Sequence, residues 1–353
     1  MIDTKIVKLD LGNPDPHLLK EAAHILSGGG LVIIPTETVY GIAANMLNKD
    51  ALARLYEIKQ RPAEKPFSLH INEKERVEES ATHIPVAAYK LMNKFWPGPL
   101  TLILKSKTGG TIGIRLPDDN IARQVIALAK IPVVCPSANI SGKPAPRDFQ
   151  AAIEDLKGLV DFAIDAGDTR LGIESSIVDL TLEPPQVLRE GAIKKEDIEK
   201  ALNKKIVLFV CTGNSCRSVM AEALLEKLMR EKNRLDVEVS SAGIIVISGL
   251  GATAGTKEVL RRDGIDVSGF HSQRLTNEMV KKSDLILVME KIHEEHVLQM
   301  APEVQNRLFL LKEFAKIDDN NLEIEDPIGK PIEVYEKTFH IIKESVERVS
   351  NLL

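Results

Sequence analysis

The stretch that most narrows the possible folds is residues 205–229, KIVLFVCTGNSCRSVMAEALLEKLM, where an apolar run passes through a short polar loop into a helical pattern. A run of Ile, Val, Leu and Phe without polar alternation is what a strand covered on both faces requires. A sharp passage from such a strand into a helix is the opening unit of a doubly wound α/β sheet. Downstream, DVEVSSAG, DLILVME and NRLFLL have the composition of three further strands with helical segments between them. EVYEKTFHIIKESVERVSNLL reads as a closing amphipathic helix.

That unit restarts the chain at Lys204, and the residues before it need a core of their own. Two domains, 1–203 and 204–353, are therefore expected. In the first, HLLKEAAHILSGGG has helical spacing and stops on glycines, and LVIIPTETVYG reads as a buried strand running into a loop. ALARLYEIKQR and ARQVIALAK are amphipathic helices; KPFSLHI and IPVVCPSAN are strand-to-loop units. PLTLILKSK and GTIGIRLP are neighbouring strands around a Gly-Gly turn. Short β-branched strands interleaved with helices predict a mixed α/β sheet. The charged segment EGAIKKEDIEKALNKK between the halves reads as helical, which leaves little flexible linker.

The balance of charge limits the partners. Residues 1–203 hold 25 Lys and Arg against 27 Asp and Glu, and the remainder hold 21 against 24. Neither half has the positive excess that would make nucleic acid the first expectation. Three cysteines do not make a disulfide framework, no apolar run approaches the roughly 18 residues that span a bilayer, and the acidic, proline-broken start is unlike a signal peptide. A cytoplasmic protein without a membrane partner is expected.

The loop Cys211-Thr212-Gly213-Asn214-Ser215-Cys216-Arg217-Ser218 suits a tetrahedral oxyanion. Its backbone N–H groups can wrap three oxygens, with a helix N-terminus beneath them. The same dipoles are expected to lower the Cys211 pKa and supply a thiolate nucleophile. Arg217 can bridge two phosphoryl oxygens with its planar fork, and Ser218 can donate to the thiolate. Gly213 allows close approach of a ligand, and Asn214 tolerates a left-handed turn. Asp326, in Glu-Asp-Pro-Ile-Gly, is the candidate general acid for the leaving group and then base for hydrolysis of a phosphocysteine. Cys216 reads either as a redox partner of Cys211 or as a small buried residue.

With Ser240-Ser241-Ala242-Gly243 and the late Asp-Pro, residues 204–353 resemble the low-molecular-weight protein-tyrosine-phosphatase family over their full length. The resemblance implies a four-stranded parallel sheet, no cofactor, phosphoprotein substrates, and catalytic Cys211, Arg217 and Asp326. Ser215 stands where tyrosine-specific members carry a bulky aliphatic residue, Ile328 where they place an aromatic, and Val219 where proline is common. A small hydroxylated residue in the loop resembles the protein-arginine-phosphatase branch, with phosphotyrosine as the alternative. Arsenate reductases of this fold relay oxidation through later cysteines, and this chain has none after Cys216.

The first half offers a constellation. Thr36-Glu37-Thr38-Val39-Tyr40-Gly41 puts hydroxyls on a strand-end loop. Lys59, Arg61 and Lys65 place three cations where they can neutralise a polyphosphate. His70, Arg115, Ser137-Ala-Asn139-x-Ser141-Gly142, Ser175-Ser176 and Arg189-Glu-Gly follow in loops or at strand ends, and neither a Walker loop nor a dinucleotide glycine fingerprint is present. From about Ile6 to Gly191 these runs, with Trp96-Pro-Gly-Pro-Leu-Thr and Glu-Ser-Ser-Ile-Val-Asp, resemble the threonylcarbamoyl-AMP synthase family and its YrdC-like mixed twisted sheet. The resemblance implies L-threonine, bicarbonate and ATP as substrates, Mg²⁺ with the nucleotide, and delivery to a transferase complex that modifies tRNA. It assigns Lys59, Arg61, Lys65, Thr111, Ser137, Asn139 and Arg189 to ATP. Thr36, Thr38, His70, Arg115 and Ser175 fall to threonine, and no residues are assigned as metal ligands. An RNA-binding module is the rival reading of this half.

Overall fold

In the computed structural model, which describes residues 2–62, 65–247 and 249–353, the segment 205–229 divides where its chemistry changes. Lys205–Cys211 is a strand and Arg217–Glu231 a helix. Val207 and Phe209 face a core shared with Met220, Leu224, Ile342 and Val346, while Leu208 and Val210 face a second core with Ile286, Val297 and Val304. Both faces are covered, which is why this strand shows no polar alternation. Four strands pair in the order Val237–Gly243, Lys205–Cys211, Leu285–Val288, Leu308–Leu310, all parallel. Their C-terminal ends therefore share one edge, where Cys211 lies beside Gly243. The last helix, Ile332–Ser350, buries Tyr335, Phe339, Ile342, Val346 and Val349 against the first of these cores.

The N-terminal unit is built on a ten-stranded mixed sheet among the described residues. Its order is Lys5–Lys8, Phe162–Asp165, Val32–Ile34, Gly41–Asn45, Val133–Val134, Leu69–His70, Thr111–Arg115, Leu100–Lys105, Ser176–Asp179, Gln186–Arg189. Leu100–Lys105 and Thr111–Arg115 are antiparallel about Gly109 and Gly110, both at positive φ, as the Gly-Gly turn predicts. Two expected strands shrink to Leu69–His70 and Val133–Val134. Each is flanked by a proline, Pro66 or Pro136, which has no N–H to give to a ladder. The Thr-Glu-Thr loop follows the buried strand Val32–Ile34, as expected, and leads into an antiparallel neighbour, Gly41–Asn45.

The chain divides into compact units Met1–Leu202 and Asn203–Leu353. The charged segment before the division is the helix Lys195–Asn203, whose Ile198 and Ala201 pack into the core of Leu91, Leu102 and Ile114. Its charges are the solvated face of an N-terminal element.

One glycine ties this fold to its strand ends. Ser176 Oγ donates to Ile193 O at 2.7 Å and accepts from Gly191 N at 2.9 Å, drawing Gly191 onto the preceding backbone. A Cβ there would lie 2.2 Å from Glu174 O and 2.7 Å from the Ser175 carbonyl carbon. Gly191→Ala is expected to cost about 1–3 kcal/mol, the range of an overpacked site. Chemical denaturation of the full chain would show it as a lowered midpoint, and an unchanged midpoint would disprove the contact.

Candidate active sites

In the C-terminal unit the nucleophile candidate sits where the central strand stops. Cys211 is 2% exposed; its Sγ lies 2.9 Å from Ser218 Oγ and accepts from Asn214 N at 3.3 Å. Asn214 takes the left-handed conformation, φ 50°, expected of its residue type. Its Nδ2 donates to Ser218 Oγ (3.0 Å) and Ser241 Oγ (2.7 Å), and its Oδ1 accepts from Gln273 N (2.8 Å). Ser241 in turn donates to Glu222, whose carboxyl is pushed up to about 7 by burial. Asn214 already donates to Ser218, which frees the Ser218 proton for sulfur.

Arg217 is 1% exposed and reaches two carboxylates. Its Nη2 donates to Asp326 Oδ2 at 2.6 Å and to Thr212 Oγ1 at 3.2 Å; its Nη1 donates to Ile324 O at 2.8 Å and to Glu290 Oε2. Asp326 Oδ1 accepts from Ile328 N at 3.1 Å, so the Asp-Pro turn fixes the carboxylate. Residues 211, 217 and 326 thus meet at one edge of the sheet.

The expected lowering of the Cys211 pKa is not what this arrangement shows. Burial pushes the thiol up, against the Ser218 hydroxyl, the Arg217 charge and the N–H groups of Ser218 and Asn214. Burial is the largest of these effects. Within the protein, a second glycine, Gly243, packs closely against the loop. A Cβ on Gly213 would meet only Ser215 Oγ, at 3.5 Å, whereas one on Gly243 would lie 2.7 Å from Thr212 O and 2.8 Å from Asn214 N.

Ser215 O accepts from Thr253 N at 3.0 Å and Thr256 Oγ1 at 3.1 Å, which anchors the loop to the helix Ala254–Arg262. Cys216 is a free thiol, 3% exposed, packed on Thr253 Oγ1 at 3.3 Å and Tyr335 OH at 3.8 Å. Ile328 is 55% exposed, and Val219 is buried in the helix.

The N-terminal unit holds a cleft of about 350 Å³ at its strand ends. Among the candidates, Thr36, Lys59, Arg61, His70, Arg115, Ser137, Asn139, Ser175 and Arg189 line it, together with Tyr40, Ser141 and Glu174. Lys59 Nζ donates to Ser137 O (2.7 Å) and to Asn139 Oδ1 (2.8 Å), and Ser137 Oγ donates to Asn139 Oδ1 (2.6 Å). Burial and the nearby Arg61 push Lys59 down to about 8. Arg61 lies over the Phe67 ring and donates to the carbonyls of Lys65 and Pro66. Arg189 donates to Ser175 O at 2.9 Å and Glu174 Oε1 at 2.7 Å.

Arg115 is paired within the protein. Its Nη2 donates to Glu37 Oε1 (2.7 Å) and Thr38 Oγ1 (2.8 Å), which places fully buried Thr38 behind the cleft wall. His70 is held neutral, pushed down to about 3 by burial and by Arg115. Besides Thr38, two further assignments fall outside the cleft. Lys65 is exposed and offers its carbonyl to Arg61, while Thr111 is exposed at the hairpin end of its strand, opposite Lys105 and away from Arg115. Lys65 was read as one of three clustered cations, and strand direction carries Thr111 away from the strand-end edge.

Four side chains escaped the sequence reading. Glu290 and His293 follow the strand Leu285–Val288, and the C-terminal ends of parallel strands were the signal for them. Glu37 lies inside the Thr-Glu-Thr run, and nothing local marks it as the Arg115 partner. Glu174 adjoins Ser175 but became visible only through Arg189.

Two family models match. The one described as telomere recombination, the Sua5, YciO and YrdC group, covers residues 24–191. The one described as low molecular weight phosphotyrosine protein phosphatase covers residues 206–353. The chain belongs to both families, one in each unit. A threonylcarbamoyl-AMP synthase of Pyrococcus abyssi is 45% identical over 195 residues, which are 53% of this chain and 57% of that relative. A protein-arginine-phosphatase of Geobacillus stearothermophilus is 37% identical over 147 residues, 42% of this chain and 95% of that relative. A solved variant of Pyrococcus abyssi Sua5 superposes with TM-score 0.54 and 28% identity, covering 87% of this chain and 98% of its own. The chain thus spans little more than half of the synthase relative and nearly all of the phosphatase relative.

Two measurements test this geometry. Ser218→Ala removes a contact that lowers the Cys211 pKa, so the pH midpoint of Cys211 alkylation should rise; an unmoved midpoint contradicts the hydrogen bond. Lys59 loses its charge as pH rises through about 8, so affinity of the cleft for an inorganic polyphosphate probe should weaken between about pH 7.5 and 9.5. A bound polyanion favours the ammonium and moves that midpoint upward. Lys59→Arg should flatten the dependence, and an equal slope in that variant would remove Lys59 as its source.

Proposed function

We propose that the chain is a bifunctional enzyme. The N-terminal unit joins L-threonine, bicarbonate and ATP into threonylcarbamoyl-adenylate and pyrophosphate for tRNA modification. The C-terminal unit is a cysteine-dependent protein phosphatase acting on phosphoarginine. What carries the reading is that each unit gathers, at one strand-end edge, residues far apart in sequence whose chemistry suits an anionic phosphorus centre.

In the N-terminal cleft the threonine amine adds to carbon dioxide or bicarbonate, giving a carbamate. A carbamate oxygen then attacks the α-phosphorus, and pyrophosphate leaves. Lys59 and Arg61 face the phosphates, without Lys65, while Ser137, Asn139 and Arg189 line the nucleotide side. Arg115 uses Nη2 on Glu37 and Thr38, and its Nη1 has no partner among the described residues, which leaves an edge for the threonine carboxylate. Among the described residues no three His, Cys, Asp or Glu side chains form a metal cluster, so Mg²⁺ would arrive on the ATP phosphates, as it commonly does. Rate enhancement rests on positioning and charge neutralisation.

In the C-terminal unit Cys211 sulfur attacks phosphorus. Arg217 turns from its carboxylates to the phosphoryl oxygens; Asp326, released from that ion pair, takes up the proton given up by the Cys211 thiol and passes it to the departing nitrogen as the P–N bond breaks. Asp326 then accepts a proton from the water that hydrolyses the phosphocysteine. Support for phosphoarginine comes from the small hydroxylated Ser215, from Ile328 in place of a ring-stacking aromatic, and from the name of the Geobacillus relative.

The full chain should release pyrophosphate only with threonine, bicarbonate and ATP together, and Lys59→Ala should reduce that rate at least tenfold, the scale of one charged hydrogen bond. Cys211→Ser should abolish phosphatase activity and leave pyrophosphate release intact. On matched peptides phosphoarginine should turn over faster than phosphotyrosine; the reverse order would overturn the substrate assignment alone. Salt-sensitive tRNA binding without any pyrophosphate release would favour an RNA-binding role for the first unit.

A further inference from the structure

His293 lies behind the phosphatase loop, fully buried and outside the proposed chemistry. Its hydrogen bonds have a fixed direction. Glu290 N–H donates to Nδ1 at 3.1 Å, closing the N-terminus of the helix Lys291–Met300, so Nδ1 must carry a lone pair. Burial and the charge of Arg217 push the ring down to about 4, so it is neutral and its proton resides on Nε2. That Nε2–H lies 2.9 Å from Thr212 Oγ1, whereas the nearest Glu290 oxygen is 3.8 Å away, beyond hydrogen-bond reach.

Thr212 Oγ1 therefore accepts twice, from His293 Nε2 and from Arg217 Nη2. Both donors are obligatory, since a guanidinium has no lone pair to offer. The hydroxyl can then act only as a donor, and its proton has no acceptor among the described residues. Thr212 is half-buried rather than sealed, and Asp326 shares the same Arg217 nitrogen. The hydroxyl thus stands between the loop that holds phosphorus and the group that serves the leaving atom.

We propose that Thr212 donates a hydrogen bond to a phosphoryl oxygen in the transition state, and that His293 is the positioning residue that fixes this donor polarity. The inference rests on the phosphatase reading of this unit and adds a side-chain donor to its backbone cradle. A donor aimed at growing oxyanion charge favours the transition state over the bound substrate, so its loss should appear in kcat more than in KM.

The test uses the full chain with p-nitrophenyl phosphate as substrate and orthovanadate as transition-state mimic. Thr212→Val and His293→Leu should each lower kcat by about tenfold to a hundredfold, the scale of a hydrogen bond to a charged group, with KM within about twofold. Vanadate inhibition should weaken in proportion. His293→Gln can accept from Glu290 N–H and donate to Thr212, and should recover most of the loss. In a Thr212→Val background, His293→Leu should add nothing further, because the two act as one unit. The inference is overturned if Thr212→Val, melting as the parent does, keeps parental kcat and vanadate sensitivity. It is equally overturned if His293→Leu costs the same factor with or without Thr212. Should His293→Leu fail to fold, Thr212→Val and His293→Gln decide alone. Hydrolysis that survives Cys211→Ser would mark failure of the phosphatase reading itself, a distinct outcome.

Discussion

An arginine removed from water must be given compensating charge, and each unit of this chain is arranged around one such residue. Arg115 and Glu37, both almost fully buried, form a 2.7 Å pair between a central strand and the Thr-Glu-Thr loop. Arg217 is buried between Glu290 and Asp326, which arrive from the next strand end and from the loop before the last helix. Breaking a fully buried pair by removing one partner costs about 3–5 kcal/mol, enough to matter against the whole stability of a domain. The Arg217 carboxylates are about a third exposed, so solvent screens that pair and it can be exchanged for a ligand. Arg115–Glu37 holds a wall in place. Arg217 is a charge stored until phosphate arrives.

This difference bears on how each site changes when occupied. On the proposed reading a phosphoryl group in the phosphatase loop competes with two carboxylates for one guanidinium, and its binding would release Asp326 to take up and pass on a proton. In the cleft, Lys59 faces a similar competition with neutral partners. Its ammonium is spent on the Ser137 and Asn139 carbonyls and on the Asn139 side chain, so a triphosphate must displace oxygen dipoles rather than full charges. Burial and the Arg61 charge outweigh the nearby Glu174 carboxylate, which is why the lysine is pushed down to about 8.

Parts of this were legible in the sequence because they are local. The strand, loop and helix of 205–231, the hairpin at Gly109-Gly110 and the left-handed Asn214 follow from composition and residue type. The roles expected of Cys211, Arg217 and Asp326 rested on the Cys-to-Arg spacing between strand and helix and on the late Asp-Pro, and the structure adds that the three meet at one edge. Other features depend on distant contacts that no spacing reports. Lys5–Lys8 and Phe162–Asp165 become partners across most of the N-terminal unit. Glu37 becomes a counter-ion only where Arg115 passes. Thr111, assigned to ATP, and Arg115, assigned to threonine, share one strand, yet a strand carries side chains along its axis by about 3.3 Å per residue, and only one end reaches the cleft.

Least legible of all is hydrogen-bond direction, and the C-terminal site depends on it. A serine or threonine in a loop can donate or accept, and sequence leaves both open. Here two backbone N–H groups settle the matter from outside the loop. Gln273 N–H occupies Asn214 Oδ1, so the amide nitrogen turns toward Ser218 and Ser241, and Ser218 keeps its proton for Cys211. Glu290 N–H occupies His293 Nδ1, so the imidazole proton goes to Thr212, which keeps its own for a ligand. In both chains a fixed backbone donor at one end is converted, through one amide or one imidazole, into a fixed hydroxyl donor at the other. Arg217 adds its own obligatory N–H to the second chain. The loop therefore presents donors, which suits an oxyanion and disfavours a cation in the phosphoryl position. On the proposed phosphoarginine reading, a guanidinium leaving group would meet acceptors in the carboxylates that hold Arg217 in the resting arrangement.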